Sequence, residues 1–232
     1  MASIYLVRHS QASFNKLNYD QLSPLGHQQS ELIGKALALR GIEAHTVVHG
    51  SMQRHKETMQ GAQKHWHSFG KTIEAPNFNE FDSDEIIAKA FPKFSNKAAL
   101  GAWLITKQDK RKAFQELFVT AIERWTNNEF EADYKESWNT FNARVKQGLS
   151  DLISQADGKN VVVFTSGGPI SVMAQHCLNL SSEKTFELNW TLVNGGISQL
   201  LYSSKDPTKV SLASFNEQQH LSGLGKKLIT YR

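Results

Sequence analysis

Three short apolar runs, each followed by a polar loop and a helix-like pattern, constrain the fold of this chain more than any other feature. The runs are Ile4–Val7, Thr46–Val48 and Val161–Phe164. Each is too short for a helix, and together they are rich in β-branched residues, as are strands buried on both faces of a sheet. Because strands that alternate with helices form parallel sheets, the sequence predicts an α/β fold with a three-layer, mostly parallel sheet flanked by helices.

A helix is predicted after each of these strands. Ser23-Pro24 offers an N-cap and a proline at the first position of a helix that ends at Gly41. Ser51 is expected to cap a second helix that runs towards Gly70, and a third helix is expected over Ile170–Leu178. These signals support the alternation of strands and helices.

Residues 83–157 are predicted to form a mostly helical insertion, because aromatic and aliphatic residues recur there at helical spacing. Two later runs, Ser198–Tyr202 and Val210–Phe215, flank the turn Asp206-Pro207 and are typical of a hairpin. A chain of 232 residues favours one large α/β domain over two independent ones. We therefore predict a single domain, residues 1–232, with the insertion at about 83–157.

The composition is that of a soluble globular protein, with 40% hydrophobic residues, 21% charged residues and a net charge of +4. The positive charge forms no dense patch, so no nucleic-acid partner is expected. No apolar run approaches the roughly 18 residues of a membrane helix, which predicts no membrane partner and a cytoplasmic location. The single cysteine, Cys177, excludes an internal disulfide. No histidine lies in the company of a metal-ligand set, so neither a metal nor a cofactor is predicted.

Residues with phosphate-binding chemistry follow the three predicted strands. They are Arg8 and His9 after the first, Ser51 and Arg54 after the second, and Ser166, Gly167 and Gly168 after the third. Ligands of open α/β sheets lie beyond the carboxyl ends of the strands, so these residues are expected to converge. The sequence thus predicts one site that contains two arginines, a histidine and the start of a glycine-rich helix.

Such a site suits a phosphate group, because a guanidinium presents a planar fork of donors to a dianion. The backbone N–H groups of Ser166 and Gly167, at a helix N-terminus, are expected to add further donors. A neutral imidazole such as that of His9 can attack phosphorus when its other nitrogen is held by an acceptor. The predicted partner is therefore a phosphorylated small molecule or inorganic phosphate.

Several segments resemble the histidine phosphatase superfamily, whose best-known branch is the cofactor-dependent phosphoglycerate mutases. Leu6–Asn15 resembles the signature in which a strand ends in Arg-His-Gly and an asparagine follows, and Leu22–Gly26 resembles the helix start after it. Ser51–Arg54 resembles the segment that carries a second phosphate-binding arginine, and Phe78-Asn79-Glu80 resembles the motif of the general acid. The resemblance covers nearly the whole chain and implies a phosphoglycerate mutase-like fold.

The resemblance also implies roles for particular residues. His9 would be the nucleophile that accepts the phosphoryl group, Arg8 and Arg54 would clamp the phosphate, and Asn15 would be an additional phosphate contact. Glu80 would donate a proton to the leaving oxygen. Three other carboxylates follow Glu80 closely and stay open as alternative acids, namely Asp82, Asp84 and Glu85.

Two positions depart from the family pattern. The family's first motif ends in glycine where this chain has Ser10, and the family has a second catalytic histidine where this chain has Ser166. Losing a preorganised donor to developing negative charge typically costs on the order of 3 to 4 kcal/mol in transition-state stabilisation. His55 follows Arg54, but adjacent helix residues point about 100° apart, so both are not expected to face one phosphate.

Three functions remain open at this point. The leading prediction is a phosphomonoesterase-type hydrolase that acts through a phosphohistidine on His9, with reduced activity. The alternative is a catalytically impaired pseudoenzyme that binds a phosphorylated ligand or protein, because Ser166 replaces the family's histidine. A phosphoglycerate mutase-like phosphotransferase is a lesser alternative. The substrate and the oligomeric state are not predicted.

Overall fold

The computed structural model describes residues 2–13, 20–204 and 206–231. Its strands are β1 Ala2–Arg8, β2 Ala44–His49, β3 Phe69–Glu74, β4 Val161–Thr165, β5 Ile197–Ser203 and β6 Asp206–Glu217. They form one sheet in the order β3-β2-β4-β1-β5-β6. The β3–β2, β2–β4 and β4–β1 pairs are parallel, whereas β5 is antiparallel to both β1 and β6. This mostly parallel sheet, flanked by helices, confirms the predicted fold class.

The described helices are α1 Pro24–Leu39, α2 Gln53–Gln63, α3 Ser83–Ala90, α4 Lys97–Ile105, α5 Lys110–Thr126, α6 Trp138–Ala156, α7 Gly167–Leu178, α8 Ser182–Thr191 and α9 Gln219–Ser222. Short 3-10 segments lie at Pro76–Phe78, Pro92–Phe94, Asn128–Asp133 and Lys226–Leu228. The chain divides into two compact units, one of Met1–Glu80 with Val145–Arg232 and one of Phe81–Arg144. A single domain with an insertion at about 83–157 remains our proposal for this organisation.

Burial explains why the central strands form where they do. Every residue of β4 is buried, and β1 is buried at most positions, as expected for strands covered on both faces. The register pairs Arg8 with Thr165 and His49 with Phe164, so β1, β4 and β2 end at the same edge of the sheet. The residues that follow these strands are therefore brought together.

The predicted helix starts are confirmed in one case and corrected in two. Ser23 caps α1, with its side chain accepting from Gly26 N–H at 3.0 Å, and Pro24 is the first helical residue. Helix α2 is preceded by Met52 and receives no side-chain cap, so the prediction that Ser51 caps it is wrong. Helix α7 begins at Gly167 rather than at Ile170.

The second helix does not continue towards Gly70. It ends at Gln63, and the chain turns into β3, a strand that the sequence analysis missed. Trp66 explains the turn, because its fully buried indole N–H donates to the Ile42 carbonyl oxygen at 2.7 Å and holds the chain against the sheet. The antiparallel pairing of β5 and β6 confirms the predicted hairpin, but the predicted turn is misplaced, because Asp206 and Pro207 belong to β6.

Helices α1 and α2 pack closely at Gly34. A Cβ added there would lie 2.1 Å from the Ala62 carbonyl oxygen. Gly34→Ala should therefore lower the free energy of unfolding by about 1 to 3 kcal/mol, because overpacking outweighs the gain in helix propensity. Gly101→Ala in α4 is the matched control, because a Cβ there meets nothing within 4 Å. This variant should raise the free energy of unfolding by about 0.5 to 1 kcal/mol. Urea denaturation measures both changes, and equal stability of the two variants would contradict this packing.

The unit formed by residues 81–144 has an aromatic core of its own. Phe81, Trp125, Trp138 and Phe141 are buried, and their ring centroids lie 5.0 to 6.0 Å apart in the closest pairs. These rings pack through inclined and edge-to-face contacts, which are favourable geometries for aromatic pairs. The aromatic side chains of α5 and α6 therefore pack against one another and against Phe81, which precedes the predicted insertion.

Candidate active site

His9 lies directly after β1, at the edge where β1, β2 and β4 end. Its backbone N–H donates to the Thr165 carbonyl oxygen at 2.8 Å, and the residue is 5% exposed. The imidazole Nδ1 lies 2.8 Å from the Ser10 carbonyl oxygen. Because a carbonyl oxygen can only accept, Nδ1 carries the hydrogen and Nε2 of the neutral ring keeps its lone pair. The structure thus holds His9 in the tautomer whose Nε2 can act as a nucleophile.

The surroundings of His9 also favour its neutral form. Burial lowers the pKa of His9 well below its usual value of 6.5, and the positive charges of Arg54 and Arg8 lower it further. An unprotonated imidazole is the form required for attack on phosphorus, so these charges prepare the ring as well as attract an anion.

The two predicted phosphate-binding arginines reach this site from different elements. Arg8 closes β1, and its Nη1 donates to the Leu192 carbonyl oxygen. Arg54 lies in the first turn of α2, is 9% exposed, and pairs with Asp20 through an Nη1–Oδ1 contact of 2.6 Å. Both guanidinium charges act on His9, so the structure brings the three residues together.

Asp20 is a partner of Arg54 that the sequence did not indicate. Asn15 lies outside the described residues, and its role as a phosphate contact stays a prediction. Asp20 was not singled out from the sequence, because a lone acidic residue in a polar loop carries no distinguishing pattern. Its carboxylate compensates the charge of Arg54.

Helix α7 presents its N-terminus at the same edge of the sheet. Ser166 is the N-cap residue and is fully buried, yet its side chain makes no capping hydrogen bond. A Cβ added at Gly167 would lie 2.4 Å from Asn189 Oδ1 and 3.7 Å from Arg8 Cζ. The Asn189 side chain would have to shift to admit a larger residue at Gly167, and the Arg8 guanidinium lies next to the start of the helix.

Glu80 is also placed at the start of α7. The backbone N–H of Gly168 donates to the Glu80 carboxylate, at 3.1 Å to Oε1 and 3.3 Å to Oε2. The preceding Phe78 carbonyl oxygen accepts from the Thr165 hydroxyl at 2.6 Å, which ties this segment to the end of β4. The structure thus brings Glu80 to the helix that carries Ser166 and Gly167.

The three alternative acids have other contacts within the unit of residues 81–144. Asp82 caps α3 by accepting from the backbone N–H groups of Asp84 and Glu85. Asp84 pairs with Lys97 at 2.6 Å, and Glu85 accepts from the Lys135 N–H at 3.1 Å. Each carboxylate therefore has a structural role where it lies.

His55 is the site residue that sequence reasoning missed. It is fully buried, its Nε2 lies 2.6 Å from Ser166 Oγ, and its ring centroid lies 5.7 Å from that of His9. Adjacent side chains on α2 do diverge, but Arg54 points to Asp20 and His55 to Ser166. The two side chains point to different partners, and the expectation that they do not both face one phosphate stays a prediction.

A helical pattern could have indicated the burial of His55. Met59 and Ala62 follow it at intervals of four and seven residues, and both are buried against the core. Thr58, three residues after His55, accepts from the Ser10 N–H at 3.0 Å and links α2 to the loop after His9. A histidine on this apolar face is expected to be buried at the carboxyl edge of the sheet rather than exposed.

Across residues 2–13, 20–204 and 206–231, no three His, Cys, Asp or Glu side chains are grouped in a way that could hold a metal ion. Among the helices described within these ranges, none combines the length and the apolar character required to cross a membrane.

Comparison with known proteins gives phosphatases and a mutase. A stretch of 64 residues is 44% identical to "Serine/threonine-protein phosphatase PGAM5, mitochondrial" of Mus musculus, and it covers 27% of this chain but only 22% of that protein. A phosphoserine phosphatase variant from Entamoeba histolytica, in complex with phosphoserine, has a TM-score of 0.63 at 18% identity, covering 95% of this chain and 100% of that one. A phosphoglycerate mutase from Bacillus anthracis has a TM-score of 0.64 at 16% identity, covering 95% of each chain. At these identities the two solved structures show a shared fold.

The match to a family profile extends over most of the chain. The profile of the histidine phosphatase superfamily (branch 1) matches residues 4–125 and 98–214. These ranges include β1 with Arg8 and His9, α2 with Arg54, and the start of α7. The chain therefore belongs to the histidine phosphatase superfamily, branch 1, as its motifs predict.

Proposed function

We propose that this protein is a phosphomonoesterase that transfers the phosphoryl group of a small phosphorylated substrate to His9 and then to water. The observation that carries this proposal is the state of His9: a buried imidazole, held by Ser10 with its Nε2 lone pair available, beside the charges of Arg8 and Arg54. A neutral nucleophile between two cations suits an anionic phosphoryl group.

Phosphate binding is assigned to groups that approach from two sides. The guanidinium groups of Arg8 and Arg54 supply charged donors, and charge-assisted hydrogen bonds of this kind contribute about 1.5 to 3 kcal/mol each. The N-terminus of α7, at Ser166 and Gly167, adds backbone donors and the positive end of the helix dipole. Asn15 is retained as a further proposed contact.

In the first step, the His9 Nε2 lone pair forms a bond to phosphorus as the bond from phosphorus to the leaving oxygen breaks. Glu80 transfers its proton to that oxygen, so the alcohol leaves neutral and Glu80 becomes a carboxylate. In the second step, water attacks the phosphohistidine and gives its proton to Glu80. Inorganic phosphate leaves, and His9 and Glu80 return to their starting states.

Glu80 must be protonated for the first step, and we propose that substrate binding favours its protonated form. The Glu80 carboxylate accepts the Gly168 N–H, an interaction that favours the ionised form. A phosphate that binds the same helix N-terminus competes for this donor and places negative charge nearby. Both changes favour the protonated acid, so substrate binding itself prepares Glu80 to donate.

Small phosphorylated molecules are the proposed substrates. The structural neighbours include a phosphatase with bound phosphoserine and a phosphoglycerate mutase. The mouse relative is named as a serine/threonine-protein phosphatase, so a phosphoserine peptide belongs in the same assay panel as free phosphoserine and phosphoglycerate. The cytoplasmic location stays a proposal, since that relative is named as mitochondrial.

Hydrolysis of 4-nitrophenyl phosphate in the presence of a chelator tests this function. Because the positive charge at the site comes from Arg8 and Arg54, we expect slow turnover that the chelator does not abolish. If phosphate raises the melting temperature but no hydrolysis is detected, the protein is a phosphate-binding pseudoenzyme instead. Activity that disappears with chelation would contradict the proposed chemistry.

Glu80→Gln should impair substrates with poor leaving groups selectively. General acid catalysis contributes about 100- to 10,000-fold, so kcat/KM for an alkyl phosphate should fall by that order. The fall for 4-nitrophenyl phosphate should be less than about tenfold, because nitrophenolate needs little protonation. Asp84→Asn, which removes an exposed carboxylate paired with Lys97, is the matched control and should leave both rates unchanged. Equal losses on both substrates for Glu80→Gln would exclude it as the acid.

A further inference from the structure

His55 and Ser166 form a buried polar pair beside His9. Both residues are fully buried, and the distance from His55 Nε2 to Ser166 Oγ is 2.6 Å. The His55 ring centroid lies 5.7 Å from that of His9, so the pair adjoins the proposed nucleophile. Burying an imidazole and a hydroxyl without water disfavours the folded state unless they hydrogen-bond each other, as they do here.

The direction of this hydrogen bond follows from the other ring nitrogen. Nδ1 of His55 is buried and has no hydrogen-bond partner among the residues that the structure describes. A Cβ added at Gly50 would lie 2.3 Å from Nδ1, so the ring nitrogen faces the Cα–H groups of this glycine. A hydrogen on Nδ1 would point at a Gly50 hydrogen and would have no acceptor, whereas a lone pair on Nδ1 needs no acceptor and causes no such clash.

The neutral ring therefore carries its hydrogen on Nε2 and donates to Ser166 Oγ. The Ser166 oxygen is then the acceptor in this contact, and its own hydrogen is left to donate elsewhere. Ser166 is the N-cap residue of α7, yet its side chain makes no capping bond, so the hydroxyl is not committed to the helix. That hydrogen is therefore available to a ligand bound at the end of β4.

We propose that His55 is a positioning residue that orients Ser166, so that the Ser166 hydroxyl donates to the phosphoryl group transferred to His9. This inference rests on the proposed function. In it, Ser166 is the donor and His55, from a different element, sets the direction of the Ser166 hydroxyl. His55 polarises the hydroxyl by donating to its oxygen, which strengthens the bond that Ser166 makes to the phosphoryl oxygen. His55 acts through Ser166 and need not touch the substrate.

This assignment changes the interpretation of Ser166. The family resemblance implies a second histidine at that position, and the serine was expected to be a weakened replacement. In the structure an imidazole is still present, contributed by α2 instead of by the end of β4. In this proposal His55 and Ser166 together replace the single histidine donor of the family motif.

Burial and charge support a neutral His55. Burial is the largest cause that lowers the pKa of His55 well below 6.5, followed by the charges of Arg54 and His49. Arg54, already next to the phosphate site, keeps the ring in the form in which only one nitrogen carries a hydrogen. The single hydrogen then determines which way the Ser166 hydroxyl points.

Nitrogen NMR of the histidine rings tests the inference without requiring turnover. We expect His55 as the Nε2–H tautomer and His9 as the Nδ1–H tautomer at neutral pH. Inorganic phosphate should shift the His55 Nε2 resonance in the wild type and shift it much less in Ser166→Ala. An Nδ1–H tautomer for His55, or a phosphate response that is unchanged in Ser166→Ala, would overturn the proposal. A wild type that shows both expected signals but no hydrolysis would contradict the proposed function alone.

Kinetics of four variants give a second test when the wild type is active. Because His55 acts through Ser166, His55→Ala, Ser166→Ala and the double variant should each lower kcat on 4-nitrophenyl phosphate by a similar factor, on the order of 100-fold. KM should change little. His55→Gln should recover at least about tenfold over His55→Ala, because its amide can donate to Ser166 Oγ. Melting temperatures in phosphate confirm that each variant folds.

A merely structural role for His55 gives the opposite pattern. The losses from His55→Ala and Ser166→Ala would multiply in the double variant, and His55→Gln would be no more active than His55→Ala. The double variant His55→Ala/Ser166→His gives the sharpest comparison with His55→Ala. It moves the imidazole to the end of β4 and vacates the space that His55 occupies. We expect this exchange to be more active than His55→Ala, and an equal or lower activity would overturn the proposal.

Discussion

His9→Ala should lower the hydrolysis of aryl phosphates by about 10,000-fold or more, because no other described residue presents an imidazole nitrogen in the same position and state. The substitution removes a side chain that is 5% exposed and is held by Ser10. Its loss should leave the phosphate clamp of Arg8 and Arg54 intact. Stopped assays with 4-nitrophenyl phosphate measure the rate, and thermal unfolding with phosphate measures the binding.

His27→Ala is the matched control for that experiment. His27 is exposed on α1 and should retain wild-type turnover. Residual activity in His9→Ala within about tenfold of the wild type would show that the reaction does not pass through this imidazole. The outcome that agrees with our account is the loss of turnover together with a preserved, phosphate-dependent rise in melting temperature.

The second large effect is expected at the arginines. A ligand that binds only the folded state stabilises it by mass action, so phosphate should raise the melting temperature of the wild type. Arg8→Ala and Arg54→Ala should each remove most of this rise and lower kcat/KM by about 100- to 10,000-fold, because each loses one or two charge-assisted hydrogen bonds. Arg54→Ala also leaves the Asp20 carboxylate without its cation, which adds repulsion towards the phosphate.

Arg40→Ala controls for the loss of one positive charge. Arg40 pairs with Glu217 at 2.8 Å, and both side chains are about one-third exposed. The variant should keep the full phosphate response, since such a pair contributes about 0 to 1 kcal/mol and lies outside the site. A phosphate response that survives in both Arg8→Ala and Arg54→Ala would exclude the proposed clamp.

The central sheet and the convergence of its loops could be predicted from the sequence. Ile4–Val7 and Val161–Phe164 are continuous apolar runs because they lie in strands covered on both faces, and their short length and β-branched residues indicate strands rather than helices. The same burial places Arg8, His9 and Ser166 at one edge, since parallel strands end together. Local patterns therefore predicted which residues would meet.

The remaining elements depend on contacts between distant parts of the chain. Strand β3 has mostly exposed or half-exposed residues and pairs along one side with β2, so its sequence lacks an apolar run. The end of α2 is set by Trp66, which binds the Ile42 carbonyl oxygen, and no local signal encodes that partner. The contact of His55 with Ser166 depends in the same way on distant parts of the chain, because the position of α2 against β4 sets it and the local sequence does not.

The most direct measurement of the central claim is to trap the phosphorylated enzyme. Rapid quenching of the wild type during turnover of 4-nitrophenyl phosphate, followed by mass spectrometry at neutral to alkaline pH, should find one phosphoryl group on His9. The modification should be lost in acid, as expected for a phosphorus–nitrogen bond, and should be absent from His9→Ala and present in His27→Ala. Turnover with no phosphoryl group on His9, or with an acid-stable one on a hydroxyl such as that of Ser166, would contradict our account.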